Sequence, residues 1–347
     1  MIDEAEIVGV LNQRVRRRDE RREFFKAALG AAAVGAGALA FTSQAAAQSA
    51  NLDTDILNFA LNLEYLEAQF YSYAFSGTGL PNDLLGGVTT TGAQGSVIVG
   101  TTNPARAVNF TGEPAIQQYA REIAADELAH VSFLRSALTS AAVAQPAINI
   151  SGDANGPFTA AASAAGVPLT NGVFDPYASV DNFLLGAYIF EDVGVTAYKG
   201  SSVLITSNTF LDAAAGILAA EAFHAGIIRG ALYRRGQAIP AIITGTERIA
   251  GARNLVDGST TQAGPPALFA DDDQGVASRP TAITSALGTT TDTASNFVPT
   301  DANGIAFGRT AQQVLNIVYL NTANAAATMG GFFPAGVNGG IRSSAAK

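Results

Sequence analysis

The chain contains two histidines, and each follows a glutamate by three residues inside a segment with helical spacing. The pairs are Glu127 with His130 and Glu221 with His224. Residues three apart lie on one face of an α-helix, so each pair can direct both side chains to a common point. In the apolar run 213–228 the second pair holds the only ionisable groups. Because a buried carboxylate is costly unless it is paired or metal-bound, the pattern predicts metal ligands rather than polar pairs facing solvent.

Two further helical segments carry glutamates among apolar residues. Glu191 ends an apolar run that begins at Phe183, and Glu64 and Glu67 lie among leucine, tyrosine and phenylalanine. A glutamate from each of two helices and Glu-x-x-His from each of two others is the ligand set of di-iron and di-manganese carboxylate bundles. Carboxylates mixed with imidazoles favour iron or manganese, and zinc stays open. The sequence therefore predicts two metal ions per chain, held by ligands drawn from Glu64, Glu67, Glu127, His130, Glu191, Glu221 and His224.

The spacing of apolar residues predicts an all-α protein built on four long helices. Their expected limits are Leu52 to Phe75 (entered through Asn51 or Asp53), Thr111 to Leu138, Ser179 to Lys199, and Phe210 to Arg235. A short fifth helix is predicted from Ala311 to Leu320, where Thr310 and Gln313 have capping-box spacing. Gly- and Pro-rich stretches separate the first three helices and follow Pro240. The expected fold is a four-helix bundle with long irregular inserts and a loop-rich C-terminal extension.

Composition excludes several classes of function. The formal net charge is −9, which argues against a nucleic-acid partner because phosphate binding relies on clustered lysine and arginine. The chain has no cysteine, which excludes disulfides, thiolate nucleophiles and cysteine-bound iron–sulfur clusters.

The first 47 residues have the pattern of an export signal. Arg21 and Arg22 precede Phe-Phe-Lys, an uncharged small-residue run follows at 27–40, and Ala45 to Ala47 offers a cleavage site. The paired arginines resemble a twin-arginine signal, which makes the twin-arginine export machinery a partner. A membrane anchor and a disordered basic arm are the alternatives. We expect a signal at 1–47, the bundle at 48–240, the extension at 241–347, and a periplasmic or other extracytoplasmic location after cleavage near Ala47.

Three stretches resemble one known family. Residues 56–67 resemble the first helix of the bacterial twin-arginine-exported, desiccation-related ferritin-like proteins, and residues 314–319 and 331–336 resemble the tail of that family. The resemblance implies a ferritin-like bundle. It also implies a tyrosine seven residues after a ligand glutamate, as Tyr71 follows Glu64 and Tyr198 follows Glu191. This favours Glu64 as the ligand of the first helix and leaves Glu67 as a neighbouring or bridging group.

Two sets of aspartates allow two interpretations each. Asp126 and Asp192 adjoin ligand positions, so either can accept the second ring N–H of a histidine or simply face solvent. The run Asp271 to Asp273 reads as a solvated loop, with a Ca²⁺ site as the alternative.

Three functions are compatible with the predicted site. One is an oxidoreductase acting in metal, oxidative or desiccation stress, namely a ferroxidase, a peroxidase or a manganese-catalase-like enzyme. Another is a non-catalytic metal-binding or structural stress protein of the cell envelope. The third is a scaffold whose function lies in the long loops, which the full ligand set disfavours. The sequence leaves the choice between the first two open, and also the possibility of a homo-oligomer.

Overall fold

A computed structural model describes residues 42–89, 94–258, 272–285, 288–301 and 303–346. The chain divides into two units, residues 1–49 and 50–347. The twin-arginine pair and the apolar run of the predicted signal lie outside the described residues. Residues 42–49 of the first unit are helical. The cleavage position near Ala47 stays a prediction.

Four long helices form a bundle, and they are the four that the sequence predicts. In the described residues the helices are α1 (Thr42–Ser76), α2 (Pro114–Leu138), α3 (Pro157–Ala165), α4 (Val180–Ser202), α5 (Asn208–Gly236), α6 (Pro240–Val256) and α7 (Ala311–Val318). The bundle consists of α1, α2, α4 and α5. The predicted all-α class and four-helix architecture are therefore confirmed.

Serine caps start two of the bundle helices. The Oγ of Ser179 accepts a hydrogen bond from the backbone N–H of Asn182 at 3.1 Å, and Ser207 does the same for Phe210 at 3.4 Å. These bonds satisfy N–H groups that have no partner within the helix. Because α4 ends at Ser202, only a short turn leads to the cap of α5.

The predicted start of α1 is wrong, because the helix begins at Thr42 and Asn51 and Asp53 lie inside it. Asp53 has a different role. Its carboxylate accepts hydrogen bonds from the backbone N–H groups of Thr206 and Ser207, both at 2.8 Å. Asp53 therefore ties α1 to the turn between α4 and α5.

The two long inserts pair with each other. Strand β1 (Val97–Ile98) in the first insert lies parallel to β2 (Ile148–Asn149) in the second. The second insert also contains α3, where the sequence predicted irregular structure. Pro157 begins α3, which is permitted because a proline needs no N–H partner at the first helical position. Gly166 ends the helix in the left-handed region, with φ of 69°.

The region beyond α5 is more ordered than the predicted loop-rich extension. The sequence predicts Gly- and Pro-rich irregular structure after Pro240, yet Pro240 begins α6. Strands β3 (Arg279–Ser285) and β4 (Gly288–Ala294) form an antiparallel hairpin. The predicted short helix is confirmed as α7, and its capping box between Thr310 and Gln313 is formed.

An aromatic core lies between the bundle and the C-terminal tail. The ring of Phe70 on α1 lies 5.4 Å from that of Phe158 on α3 and 5.4 Å from that of Phe190 on α4. Phe332 from the tail lies 5.0 Å from Phe190. Further along the tail, Asn338 donates its backbone N–H to the side chain of Asn62 at 2.9 Å. The tail therefore completes the core instead of lying free of it.

Buried arginines fasten the C-terminal region to the bundle. Arg229 on α5 and Arg253 on α6 both contact Asp192 of α4, at 2.7 and 2.9 Å. Arg253 also pairs with Asp273 at 2.7 Å, and the guanidinium of Arg309 contacts Asp273 as well. These carboxylates and guanidinium groups are almost entirely buried.

The acidic run is thus not the solvated loop that the sequence suggested. Asp273 is buried, and the Arg309 guanidinium contacts Asp257, Asp272 and Asp273 together. Asp271 lies outside the described residues. The guanidinium of Arg309 contacts all three carboxylates and that of Arg253 contacts Asp273, so these arginines offset part of the charge that a Ca²⁺ ion would otherwise balance.

Candidate metal centre

Both Glu-x-x-His pairs point into the bundle. Glu127 and His130 lie on α2, and Glu221 and His224 lie on α5. Both glutamates are fully buried, and 12% of the His130 side chain and 3% of the His224 side chain are exposed. The two imidazole rings are 6.1 Å apart, measured between centroids. The interpretation of these pairs as polar residues facing solvent is therefore wrong.

One group of ligand atoms lies around His130. Its Nδ1 is 3.2 Å from Oε2 of Glu64, 3.6 Å from Oε2 of Glu127 and 3.7 Å from Oε1 of Glu221. One ligand atom from each of the four residues lies within 4.8 Å of the others. Helices α1, α2 and α5 thus bring three carboxylates and one imidazole to a single point.

A second group lies around His224. Its Nδ1 is 3.0 Å from Oε1 of Glu127 and 3.6 Å from Oε2 of Glu191. Atoms of these three residues also lie within 4.8 Å of one another. Glu127 belongs to both groups and offers a different oxygen to each. The two groups are thus adjacent, share Glu127, and could each hold a metal ion.

Six of the seven predicted ligands are thus brought together, and Glu67 is the exception. Glu67 is buried close by on α1, but it is in neither group. The preference for Glu64 over Glu67 agrees with this arrangement.

Several of the buried ligand atoms lack a hydrogen bond within the part of the chain that the structure describes. Both carboxylate oxygens of Glu127 and of Glu221, Oε2 of Glu191 and Nδ1 of His224 have no hydrogen-bond partner of regular geometry among the described residues. Buried polar atoms are nearly always satisfied, and a carboxylate without a partner is costly. Four carboxylates and two imidazoles around two points fit two divalent cations that prefer oxygen and nitrogen ligands.

Two tyrosines link the glutamates across the bundle. The hydroxyl of Tyr71 on α1 donates to Oε1 of Glu191 on α4, and that of Tyr198 on α4 donates to Oε1 of Glu64 on α1. Each tyrosine therefore supports the glutamate of the opposite helix. The other oxygen of each glutamate belongs to a ligand group. The two hydrogen bonds fix which oxygen faces the centre.

Asp126 and Asp192 adjoin candidate ligands in the sequence, and Asp126 contacts a histidine. Oδ2 of Asp126 lies 3.1 Å from Nε2 of His224, so the carboxylate can accept the second ring N–H and leave Nδ1 directed at the centre. Asp192 instead pairs with Arg229 and Arg253. Asp126 therefore has the position to orient a histidine, and Asp192 does not.

A family model described as a ferritin-like domain matches residues 52–234, the part of the chain that contains all of the candidate metal ligands. The chain belongs to the ferritin-like domain family. This ferritin-like protein is 30% identical over 272 residues to desiccation-related protein PCC13-62 of Craterostigma plantagineum, covering 76% of each chain. It is 28% identical over 298 residues to ferritin-like catalase Nec2 of Nesocodon mauritianus, covering 83% of this chain and 84% of the relative. No solved structure matches it significantly.

A glycine that the sequence analysis did not single out borders the ferritin-like centre. A Cβ at Gly194 on α4 would lie 2.1 Å from Oε2 of Glu221 and 3.4 Å from Oε1 of Glu67. The first distance is shorter than any real contact, so a side chain here would force the Glu221 carboxylate to move. Its position in the sequence could have identified it, because Gly194 follows Glu191 by three residues and lies on the same helix face.

We expect Gly194→Ala to weaken metal binding and lower the unfolding temperature, because the added methyl group displaces Glu221. The matched control is Gly216→Ala on α5, where a Cβ meets nothing within 4 Å. That control should stabilise the protein by about 0.5–1 kcal/mol, the usual gain for alanine over glycine in a helix. Metal analysis and thermal unfolding of both variants measure the contrast. Equal behaviour of the two variants would show that Gly194 does not border the centre closely.

Titration of the metal-free centre makes stability depend on pH. Burial, reinforced by Glu127, raises the pKa of Glu64 from 4.5 to about 7, and burial raises that of Glu191 to about 8. Burial alone would lower the pKa of His130, but Glu64 and Glu127 raise it from 6.5 to about 11. The pKa of Glu127 shifts in the opposite direction. The two histidines outweigh the effect of its burial and hold its pKa at about 2.

Between pH 5 and 9 the folded metal-free protein therefore binds more protons at Glu64, Glu191 and His130 than the unfolded chain does. Stability must then fall as pH rises across this window. We expect the calorimetric unfolding temperature of chelator-treated protein to decrease from pH 5 to pH 9. The unfolding temperature of metal-loaded protein should change little over the same pH window, because bound cations replace the protons. A rise in the unfolding temperature of the metal-free protein with pH would contradict this.

Proposed function

We propose that this ferritin-like protein binds two iron or manganese ions and uses them to disproportionate hydrogen peroxide. The observation that carries the proposal is the shared carboxylate of Glu127 between two groups of buried ligands. The similarity to a relative named a ferritin-like catalase, over more than four fifths of both chains, supports the choice of peroxide. The relative named as desiccation-related supports a role in stress.

The ligand positions in this proposal are Glu64, Glu127, His130 and Glu221 for one ion and Glu127, Glu191 and His224 for the other. Two bound redox-active ions supply a two-electron couple, which disproportionation needs because one peroxide is reduced to water and the next is oxidised to dioxygen. Iron and manganese both fit the donor set, since each accepts carboxylate and imidazole ligands.

The protein's own groups position the ligands and carry protons. Tyr71 and Tyr198 orient Glu191 and Glu64, and Asp126 orients His224. Burial and the surrounding carboxylates raise the pKa of Glu67 well above its ordinary value. Glu67 therefore keeps a proton beside the centre without belonging to either ligand group. In the proposal it exchanges that proton with a peroxide oxygen.

We further propose that the protein reaches an extracytoplasmic compartment through a twin-arginine signal. The support is the arginine pair Arg21 and Arg22 ahead of an uncharged run. Export of a folded protein by this route allows metal to be loaded in the cytoplasm. Replacing both arginines with lysine should retain the protein in the cytoplasm, as measured by cell fractionation. Unchanged export would contradict the signal.

The function is tested on the purified protein loaded with manganese or with iron. We expect oxygen evolution from hydrogen peroxide, measured with an oxygen electrode, in proportion to bound metal. The matched pair of variants is Glu67→Gln, which should keep the metal and slow turnover, and Glu122→Gln on the exposed face of α2, which should change neither. Stable metal binding with no oxygen evolution would overturn the peroxide proposal. It would leave metal storage in the cell envelope as the function.

A further inference from the structure

A small cavity lies against the metal centre on the side of the C-terminal tail. We call it the inner cavity, lined by Glu67, Phe190, Val193, Gly194, Ile317 and Phe332, among others. Its volume of about 20 Å³ is room for one water-sized molecule. Gly194 lines the inner cavity, and a Cβ at this position would lie 2.1 Å from Oε2 of Glu221. Gly194 therefore contacts both the inner cavity and a candidate ligand.

A much larger cavity opens to the surface between α3, α6 and α7. This outer cavity has a volume of about 580 Å³, and its lining includes Ala161, Ala165, Ile189, Ile249, Ala252 and Ile317. It exists because α3 contributes only alanines to this wall, and alanines leave space that larger side chains would fill. Polar groups in its wall are few, namely Arg253 and Thr322. Arg253 is held by Asp192 and Asp273.

Two isoleucines belong to both cavities. Ile189 on α4 and Ile317 on α7 line the outer cavity on one side and the inner cavity on the other. Both are buried, with 6% and 3% of their surface exposed. Their side chains are the partition between a surface opening and the last cavity before the centre. Side chains in a packed core do change rotamer, so a partition made of two side chains can admit a small molecule.

We propose that the outer cavity, the Ile189–Ile317 partition and the inner cavity form an apolar passage that brings a small uncharged oxidant, peroxide or dioxygen, to the metal centre. The proposal rests on the function proposed above. An ion would lose its hydration in an apolar neck without compensation and is excluded, whereas peroxide is uncharged at neutral pH. Dioxygen, the product, is itself apolar and can leave by the same passage.

Metal ions must then enter from another direction. The polar side of the centre is formed by α2 and α5, where 47% of the Asp126 side chain is exposed and it contacts His224. If the two routes are separate, a plug in the outer cavity should slow the entry of the uncharged oxidant and leave the rate of metal loading unchanged. This separation of effects distinguishes a passage from a general disturbance of the fold.

The absence of cysteine allows the outer cavity to be plugged chemically at one position. In the Ala252→Cys variant the new thiol lines the outer cavity, and benzyl methanethiosulfonate then fills the opening. The matched control is Ala115→Cys, exposed at the start of α2 and outside both cavities. We expect labelling of Ala252→Cys to lower kcat/KM for peroxide at least about fivefold, with metal content and the rate of metal uptake unchanged. The labelled Ala115→Cys variant should keep its rate. Equal rates in the two labelled variants would overturn the passage.

Dioxygen provides a readout that does not depend on turnover, because it is apolar and close to water in size and so matches the inner cavity. Diffraction from dioxygen-pressurised crystals of the wild-type protein should show added density in both cavities. Ile317→Phe should remove the density in the inner cavity and keep that in the outer one. Dioxygen confined to the outer cavity of the wild type would overturn the passage. If the protein bound metal without turning over peroxide, the proposed function would fail, and the dioxygen experiment alone would still decide whether the passage exists.

Discussion

Replacing Glu127 with alanine is expected to abolish metal binding at both positions of the centre. Glu127 is the residue common to the two ligand groups, with Oε1 3.0 Å from the Nδ1 of His224 and Oε2 3.6 Å from the Nδ1 of His130. Its loss therefore removes one ligand from each cation at once. Loss of an outer supporting group typically weakens metal affinity about 10- to 100-fold, and a shared ligand should cost more. Metal analysis after dialysis, and titration with Mn²⁺, measure the change.

The control for this variant is Glu122→Ala, an exposed glutamate on the same helix. It should retain full metal content and the same unfolding profile as the wild type. Glu221→Ala adds a second comparison, since Glu221 belongs to only one of the two groups. Loss of one ion in Glu221→Ala and of both in Glu127→Ala is the expected pattern. Equal losses in these two variants would contradict the shared position of Glu127.

The largest effect on stability is expected from Arg309→Ala. The Arg309 side chain is fully buried and contacts Asp257, Asp272 and Asp273. Its Nη1 also donates to Oγ1 of Thr196 on α4 at 2.8 Å. Removing one partner from a buried network of charges typically costs about 3–5 kcal/mol. Denaturant unfolding of metal-free protein at constant pH measures this loss.

Arg279→Ala is the matched control. Arg279 pairs with Glu247 at 3.4 Å, and both side chains are about one third exposed. Partly solvated pairs of this kind contribute no more than about 1 kcal/mol. Similar losses of free energy in the two variants would mean that the buried network does not hold the C-terminal region to the bundle.

The bundle and most of the centre could be predicted because their signals are local. Helical periodicity and the Glu-x-x-His spacing are read within a few residues, and burial of Glu127 and Glu221 follows from their apolar surroundings. The choice of Glu64 over Glu67 needed the family resemblance. The helical pattern puts both on α1, and only the assembled bundle shows that Glu64 approaches His130.

Two helices escaped prediction for a shared reason. Both α3 and α6 begin with a proline, and the sequence pattern predicts both prolines in irregular or helix-ending segments, although a proline at the first helical position is compatible with a helix. The α3 sequence also consists mainly of alanine and therefore has little contrast between its two faces.

The arginine network had no local signal at all. Arg309 lies 113 residues from Thr196 and 36 from Asp273, so the contacts exist only in the folded chain. The same applies to the crossed pairs of Tyr71 with Glu191 and Tyr198 with Glu64. The seven-residue spacing puts each tyrosine on the same helix as one ligand glutamate and says nothing about its partner. In the folded bundle each tyrosine bonds to the glutamate of the other helix.

The most direct test of the two-metal centre is anomalous diffraction from crystals of the purified protein grown with Mn²⁺ or Fe²⁺. We predict two anomalous peaks about 3.5–4 Å apart, one beside His130 and Glu64 and the other beside His224 and Glu191, with Glu127 contacting both. The test applies to crystals grown with excess metal in which the six side chains still converge. A single peak, or none, in such crystals would contradict the two-metal account.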